Sequence, residues 1–480
     1  MRWLILALFM LVSTVSNAAG MGYDDARHLL NRTGFAASEA DVQEFARLTR
    51  QQAVGKLLDG TRTVAQTPSP ASLGEWIRLT GLKDKSEEER KALLKEALLQ
   101  GIDLRAWWYQ EMLSTPSPLT EKMTLFWHNH FVSSQQKVKS PLLMYQQNVL
   151  LRKYALGNFG ELLHAVSKDP AMIIYLDNVS NRKGQPNENF AREVMELFTL
   201  GEGAYSEQDI KEAARAFTGW SLDRESGQFR FYPRLHDDGQ KVVLGQRGKF
   251  DGDAVLDILL AQPQTAELIT RKLWREFISP APETAEVKRL ANVFRASGYD
   301  TKSLMQALLT SDAFYAKQNR AVLVKSPVEL MIGTLKQFDI QPENMRPFLL
   351  VGRGLGQDVF GPPNVKGWPG GDSWINSNTL LIRKQFLERV MRGQEMPQEP
   401  MAQEQPKDRK VNFMRAQPVL NTLHFDSERW LARFKGTETQ RKAQAERLLL
   451  ASAPVNKPQP SSTSLEFIRQ LVLDPVYQIK

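Results

Sequence analysis

The chain has 480 residues, carries 62 Lys and Arg against 54 Asp and Glu, and contains no cysteine. The missing cysteines exclude disulfides, thiolate zinc sites, iron–sulfur clusters and a cysteine nucleophile. With six histidines, any metal site must use carboxylates and a few imidazoles, which favours hard or borderline ions. The basic excess is mild and spread along the chain, so it does not indicate nucleic-acid binding.

The first residues predict an export signal. Arg2 precedes an apolar run from Trp3 to Val12, and small residues follow up to Ala18. This pattern is typical of a secretory signal peptide, here residues 1–18. The alternative is an uncleaved anchor, but the apolar run is too short to cross a hydrocarbon core of about 30 Å. We therefore expect a periplasmic or secreted mature protein without a transmembrane span.

Apolar residues three and four positions apart dominate the rest of the chain, which predicts helices. The helical segments predicted in this way are Tyr23 to Leu58, Glu87 to Leu99, Pro118 to Phe131, Glu188 to Leu200, Glu207 to Phe217, Thr265 to Phe277 and Thr301 to Leu309. Strand signals occur in one place, where Gln228 to Pro233 and Lys241 to Leu244 flank an Asp-Gly turn signal. The predicted fold is mostly α, a large irregular helical domain with one short β-hairpin near residues 228–244.

Composition suggests how this fold is divided along the chain. Residues 19–392 form the predicted main helical domain. Residues 393–411 are rich in Gln, Pro and charge with little to bury, which is typical of a flexible linker or exposed insertion. Residues 412–480 would then form a small C-terminal helical part packed on the main domain.

The first chemically suggestive cluster is the pair His128 and His130 in the sequence FWHNHF. On a helix, residues two positions apart point about 200° away from each other. The two imidazoles therefore cannot bind one ion unless the helix has ended before them. A structural role for both histidines is the alternative to a role in catalysis.

The second cluster lies on the segment Glu188 to Leu200. A helical wheel gathers the apolar residues on one face and the charged residues on the other. Glu188, Arg192 and Glu196 are spaced i, i+4 and i+8, so the arginine can pair with both carboxylates. Such a face is either a solvated surface or a site in which Arg192 holds one carboxylate ionised while another, such as Glu193, accepts a proton.

Two further candidates lie in predicted turns. His236 and Asp237 fall in the turn of the predicted hairpin, from which an imidazole and a carboxylate can reach a pocket, although Asp-Gly also suits a tight turn. Asn364, Trp368 and Trp374 lie in a loop dense in Gly and Pro. The tryptophans could stack on a sugar or peptide substrate, or they could pin the loop to the core.

Several motifs in one order resemble a known family. They are RHLLNRTGF (Arg27 to Phe35), FWHNHF (Phe126 to Phe131), DPAMIIYLDN (Asp169 to Asn178), NENFAREVMELFTLGEG (Asn187 to Gly203), AARAFTGW (Ala213 to Trp220), HDDG (His236 to Gly239), KSPVEL (Lys325 to Leu330), PPNVKGWPGG (Pro362 to Gly371) and the closing LVLDPVYQIK. Together they resemble the bacterial domain-of-unknown-function family 1800.

The resemblance implies a secreted or periplasmic, mostly helical protein whose activity is not established. It also implies a partner, because the family is often encoded beside proteins of phosphatase-like or sulfatase-like character. Many similar proteins have histidine at the position of Phe198, so its replacement here argues against a ligand at that position.

Two hypotheses of different classes follow. The first is a hydrolase or other acid–base or metal-assisted enzyme with catalytic His128, His130, Glu188, Arg192, Glu193, Glu196, His236 and Asp237. His130, Glu196 and His236 are the candidate ligands of a divalent metal, and Asn364, Trp368 and Trp374 the candidate substrate-binding residues. The second hypothesis is a non-catalytic accessory or binding protein for a secreted partner or for an extracellular polymer, a polysaccharide or a peptide.

The enzyme hypothesis makes one geometric demand. Glu188, Arg192 and Glu196 should share a cleft with one of the two histidines of FWHNHF and with His236. A buried arginine between two glutamates needs further polar partners, because a desolvated charge costs several kcal/mol.

Overall fold

The computed structural model describes residues 19–74, 85–392, 423–459 and 461–480. The predicted signal peptide, residues 1–18, and the predicted linker, residues 393–411, therefore lie outside the described residues. The described part of the chain is mostly α-helical, as the sequence predicts. None of its helices is both long enough and apolar enough to pass through a bilayer.

The described residues form α-helices that we number α1 to α22 in chain order. They are α1 Tyr23–Thr33, α2 Glu39–Ala46, α3 Arg50–Asp59, α4 Glu87–Ser114, α5 Pro118–His130, α6 Gln135–Val138, α7 Pro141–Lys153, α8 Phe159–Ser167, α9 Pro170–Tyr175, α10 Asn189–Glu193, α11 Glu207–Ala216, α12 Gly252–Ala261, α13 Pro263–Phe277, α14 Thr284–Ala296, α15 Thr301–Leu309, α16 Asp312–Tyr315, α17 Pro327–Gln337, α18 Arg346–Gly354, α19 Ser377–Arg392, α20 Ser427–Leu431, α21 Glu438–Leu449 and α22 Ser464–Leu473. A π-helix, Val194–Leu200, continues α10.

Local capping signals decide where many of these helices begin. Ser38 and Thr49 each start a helix with a capping box, in which the hydroxyl accepts from the third residue and that residue's side chain accepts in return. These two boxes divide the predicted helix from Tyr23 to Leu58 into α1, α2 and α3. By contrast, α4 runs fifteen residues beyond Leu99, to Ser114, because its second half carries the buried Trp107, Trp108 and Met112.

Two of the four described strands lie where the sequence predicts them, two were not predicted, and the pairing is different. Strand β2, Phe229–Phe231, pairs with β1, Trp220–Leu222, and strand β3, Lys241–Val243, pairs with β4, Gln246–Gly248. The prediction of one hairpin closed by the Asp-Gly turn is therefore wrong. Two antiparallel hairpins form instead, and the segment with His236 and Asp237 connects them. Each strand finds a nearer partner, so less chain has to be ordered to close each hairpin.

One apolar core extends through the described residues. Helix α13 packs against α14 and against the π-helix, and α5 packs against α7. Helix α4 packs against α17 and α18. The last described helix, α22, lies on α19, and Ile479 forms a β-bridge with Val324. The C-terminal end of the described chain thus meets the middle of the sequence.

Candidate functional site

The segment Glu188 to Leu200 combines an α-helix with a π-helix. Helix α10 changes into the π-helix at Val194. The predicted apolar face is buried, since Phe190, Val194, Met195 and Phe198 are all at most 2% exposed. The three charged residues Glu188, Arg192 and Glu196, which we call the polar stripe, lie on the other side and are partly exposed.

Arg192 pairs with a residue that the sequence analysis did not consider. Its guanidinium donates to both carboxylate oxygens of Glu207, at 2.7 and 2.8 Å, and to Oε2 of Glu188 at 3.4 Å. The bidentate pair with Glu207 raises the pKa of Arg192 and lowers the pKa of Glu207. Arg192 does not pair with Glu196, so that part of the prediction is wrong. The bidentate pair with Glu207 holds the guanidinium at the start of α11 instead.

Glu196 instead accepts a hydrogen bond of 2.5 Å from the hydroxyl of Tyr205. Burial raises the pKa of Tyr205 and the hydrogen bond to Glu196 raises it further, so the phenol keeps its proton. Burial raises the pKa of Glu193 as well, and the neighbouring Glu196 adds to the effect. The positive charges of Arg192 and Lys366 partly offset this rise in the pKa of Glu193.

His130 is buried between the π-helix and α13. Its Nε2 lies 3.2 Å from the carbonyl oxygen of Phe198, and its Nδ1 accepts from the ammonium of Lys272 at 2.9 Å. Since a carbonyl can only accept, Nε2 carries the proton and the imidazole is neutral. Burial holds the pKa of His130 well below its usual value, and Lys272 lowers it further. Lys272 also donates to the carbonyl of Leu197 at 3.0 Å, so the pair satisfies carbonyls at the end of the π-helix.

His128 faces the opposite way, as the spacing predicts. Its ring lies 5.4 Å from that of Trp108, 5.3 Å from that of Phe360 and 5.6 Å from that of Trp368. The backbone N–H of Phe360 donates to its Nε2 at 3.2 Å. Burial lowers the pKa of His128 to about 3, so the imidazole is neutral. The contacts of His128 are those of a core residue.

The predicted turn residues His236 and Asp237 have structural partners. The Nδ1 of His236 donates to the carbonyl of Thr218 at 2.9 Å. Asp237 accepts two hydrogen bonds from Arg215, at 2.8 and 3.2 Å. The ion pair with Arg215 lowers the pKa of Asp237 to about 2. This carboxylate is therefore ionised, and both of its oxygens already accept from Arg215.

The predicted convergence of these groups is not found among the described contacts. Within the described ranges, no hydrogen bond, ion pair or ring contact joins the polar stripe to His128 or to His236. His130 reaches the same helix, but from its buried side. The described part of the chain also contains no group of three or more His, Asp and Glu side chains placed to hold a metal ion. His130, Glu196 and His236 are therefore not brought together as the metal-ligand set that the sequence suggested, and the metal-free form of the enzyme hypothesis does not depend on them as ligands.

The two candidate stacking residues are packed inside the protein. Trp368 is 4% exposed and Trp374 is 6% exposed, so neither offers a free face to a substrate. The carboxamide of Asn129 clamps Trp368, because it accepts from the backbone N–H at 2.7 Å and donates to the carbonyl at 3.1 Å. Asn364 is exposed and accepts from the backbone N–H of Lys366. These contacts agree with the reading in which tryptophans pin the loop.

Replacing Gly367 by Ala is expected to lower the free energy of unfolding by about 2–3 kcal/mol. Gly367 has a φ of +79°, and a Cβ there would lie 2.3 Å from Oδ1 of Asn129. Urea unfolding followed by tryptophan fluorescence measures the loss. Gly370→Ala is the matched control, since its φ is +73° but no atom lies within 4 Å of the added Cβ. Equal losses in both variants would show that the approach to Asn129 contributes nothing.

A wide polar groove of about 1150 Å³ opens beside the start of α10, and Glu188 forms part of its wall. The side chains that line it are mostly uncharged hydrogen-bonding groups and arginines. We call it the polar groove, and its lining residues are Val179, Ser180, Asn181, Arg182, Gln185, Pro186, Asn187, Glu188, Ser221, Leu222, Asp223, Arg224, Glu225, Arg230, Tyr232 and Leu235.

The charges of the polar groove balance. Three arginines and three carboxylates line it, so it carries no formal net charge. Arg230 donates to Asp223 at 2.7 Å and lies over the ring of Tyr232 at 5.2 Å. Val179 and Leu235 are 47% and 41% exposed, which places apolar surface among the polar groups.

Sequence reasoning found Glu188 but missed the rest of this groove. The mostly polar run from Asn178 to Asn187 (NVSNRKGQPN), which lies between two helices, is a sequence signal that could have indicated the groove. Arg230 and Tyr232 lie on a segment that was predicted as a strand, but nothing local showed that it would face this run. Lys272 was missed as well, since it lies 142 residues from His130.

Comparison with known proteins identifies a family. The family described as "Protein of unknown function (DUF1800)" matches residues 28–479, which is nearly the whole chain. No curated protein matches the chain, and no solved structure does.

Proposed function

The chain belongs to the DUF1800 family of proteins of unknown function, and on this premise we propose that it is an exported protein that binds a neutral polysaccharide in the polar groove. The observation that carries the proposal is the lining of that groove. It combines planar hydrogen-bonding side chains with exposed apolar patches and has no formal net charge.

A sugar chain presents hydroxyl groups around the edge of each ring and C–H groups on its faces. The hydroxyls can both donate and accept, which suits the mixture of Asn, Gln, Ser, Arg and carboxylate groups in the groove. The C–H faces suit exposed apolar groups such as Val179 and Leu235. A strongly anionic polymer would instead meet Glu188, Asp223 and Glu225 without an excess of cations.

The contacts of the predicted catalytic residues favour binding over catalysis. Arg192, Glu196 and Asp237 are each engaged by a partner within the protein, and both histidines of FWHNHF are buried and neutral. A general acid or base has to reach the substrate, directly or through one water. Export is part of the proposal because residues 1–18 have the pattern of a signal peptide.

Titration calorimetry with dextran, pullulan and laminarin tests the proposal, with alginate as the anionic comparison. We expect at least one neutral polymer to bind and Arg224→Ala to weaken that binding about tenfold or more, because the lost donor leaves polar groups unpaired. Arg224 is exposed and lines the groove. Arg247→Ala is the matched control, since Arg247 is also exposed but lies on β4, outside the groove.

Three results would count against the proposal. They are the absence of binding to every neutral polymer, a preference for alginate, and an equal effect of both substitutions. A reducing-end assay on the same mixtures separates binding from cleavage. New reducing ends that disappear in Glu188→Gln would favour the hydrolase hypothesis instead.

A further inference from the structure

A second site, which shares no lining residue with the polar groove, lies where α1 and the C-terminal segment meet α17. Five cationic side chains gather there, and we call this group the basic centre. Its members are Arg32, Lys122, Lys325, Arg383 and Lys480. The motifs RHLLNRTGF, KSPVEL and LVLDPVYQIK supply three of them.

The two arginines of the basic centre bond to neutral oxygens. Arg32, fully buried, donates to the backbone carbonyls of Phe277, Ile278, Asn319 and Lys480 at 2.8–2.9 Å. Arg383 donates to Oε1 of Gln478 at 3.0 Å and to the carbonyl of Lys325 at 2.9 Å. These hydrogen bonds replace water as partners, but they do not neutralise the charge of either guanidinium.

The carboxylates at the basic centre are too few to balance it. Glu329 is buried and accepts from both Lys122 and Lys480. Glu276 lies 3.2 Å from Lys122, but its side chain is 37% exposed. Even if the main-chain oxygen of Lys480 carried a full negative charge, the cations would outnumber the anions.

The ammonium of Lys325 has no hydrogen-bond acceptor among the described residues. Its Nζ lies 3.9 Å from the centre of the Tyr477 ring. A cavity of about 20 Å³ adjoins it, lined by Lys325, Glu329, Thr334, Tyr477 and Lys480 among others. This cavity has room for one water or one ion of similar size.

We propose that this cavity is a binding site for a single monatomic anion of the chloride type, held by the ammonium of Lys325 and by the surplus positive charge of the basic centre. A desolvated excess of cations has to be compensated by a counter-ion or by the loss of a proton. The anion supplies the acceptor that the ammonium of Lys325 lacks. It also links the loop before α17 to the segment that carries Tyr477.

The titration of Lys325 is coupled to such binding. Burial lowers the pKa of Lys325 to about 7; Glu329 raises it, and Lys480, Arg383 and Arg27 lower it further. The neutral amine does not attract an anion, so binding should be stronger below this pKa than above it. An anion in the cavity should in turn raise the pKa of Lys325.

Thermal unfolding in sodium chloride and in sodium gluconate at equal ionic strength tests the proposal. We expect chloride to raise Tm by about 2–3 °C at a hundredfold excess over its dissociation constant. The rise should be larger at about pH 6 than at about pH 9. Lys325→Met should abolish the difference between the two salts, whatever the substitution does to Tm itself.

Lys336→Met is the matched control, because Lys336 is a partly buried lysine of α17 that donates to the carbonyl of Leu113 and does not line the cavity. It should keep the chloride effect.

Crystals soaked in sodium bromide give a direct readout, with an anomalous peak expected beside the Nζ of Lys325. Equal Tm values in the two salts and no peak would overturn the proposal and leave a neutral Lys325 beside a water. A chloride effect that survives in Lys325→Met would overturn it too.

Discussion

Replacing Glu329 by Gln is expected to lower the free energy of unfolding by about 3–5 kcal/mol. Glu329 accepts hydrogen bonds from the ammonium groups of Lys122 and Lys480, whose side chains are 2% and 5% exposed. Its Oε2 also accepts from the backbone N–H of Ser326 at 2.8 Å, which caps α17. The amide removes the buried carboxylate that the two lysines share, so Lys480 loses its counter-charge and Lys122 keeps only the partly exposed Glu276 among the described residues. Urea unfolding at neutral pH measures the loss.

Glu207→Gln is the matched control for this prediction. Glu207 also forms a close ion pair, with Arg192, but its side chain is 68% exposed. Water and salt screen such a pair, so we expect a much smaller loss than in Glu329→Gln. The double variant with Lys122→Met should recover part of the loss, because it removes one of the two stranded charges. A loss in Glu329→Gln no larger than that in Glu207→Gln would contradict the prediction.

Acidification from about pH 6.5 to about pH 5 is expected to lower the free energy of unfolding by about 3 kcal/mol. Three buried histidines drive this loss. Burial lowers the pKa of His28 and His128 to about 3 and holds that of His130 well below its usual value. In the unfolded chain each imidazole takes up a proton near its usual pKa of 6.5. The contribution of the three histidines to the free energy of unfolding is therefore fully present above that pH and decreases as the pH falls below it.

One buried carboxyl group opposes this trend. Burial raises the pKa of Asp169 to about 7, so the folded protein keeps a proton that the unfolded chain releases above pH 3.8. Asp169 accordingly gains stability on acidification while the histidines lose it. The unfolded state still binds more protons overall, because three imidazoles outnumber one carboxyl group.

Unfolding curves measured across this pH range check the prediction. His128→Gln should flatten the dependence by about a third of the histidine contribution, since one of the three titrating imidazoles is removed. Replacing the exposed His424 in the same way is the comparison, because that ring is not buried. A free energy of unfolding that does not change with pH would show that the buried histidines are protonated at no cost.

The sequence predicted the helices well because their signals are local. Pro118 at the first position of α5, the capping box at Ser206 and the buried periodicity of α10 all act within one or two turns. The opposite orientation of His128 and His130 also follows from helix geometry alone. The pairing of the strands was not predicted, because two segments with strand signals can each pair with any neighbour.

The candidate site was predicted less well, and particular residues show why. Arg192 has Glu188 four positions before it and Glu196 four positions after it, but its main partner is Glu207, on the next helix. The π-helix that contains Glu196 has no sequence signal that we recognise. His130 meets Lys272 because α13 packs on the π-helix, a contact that joins residues 142 positions apart.

The sequence by itself determined the mostly helical class, the helix starts and the chemistry that the missing cysteines exclude. Each of these depends on residue type or on contacts within a few positions, where the chain has little entropy to lose. Only the tertiary structure decided which polar groups meet. It opened the polar groove between the run at Asn178 to Asn187 and the first hairpin, and it joined Arg32 to Lys480 across 448 positions. Long-range contacts of this kind depend on how the whole core packs, and no local pattern encodes them.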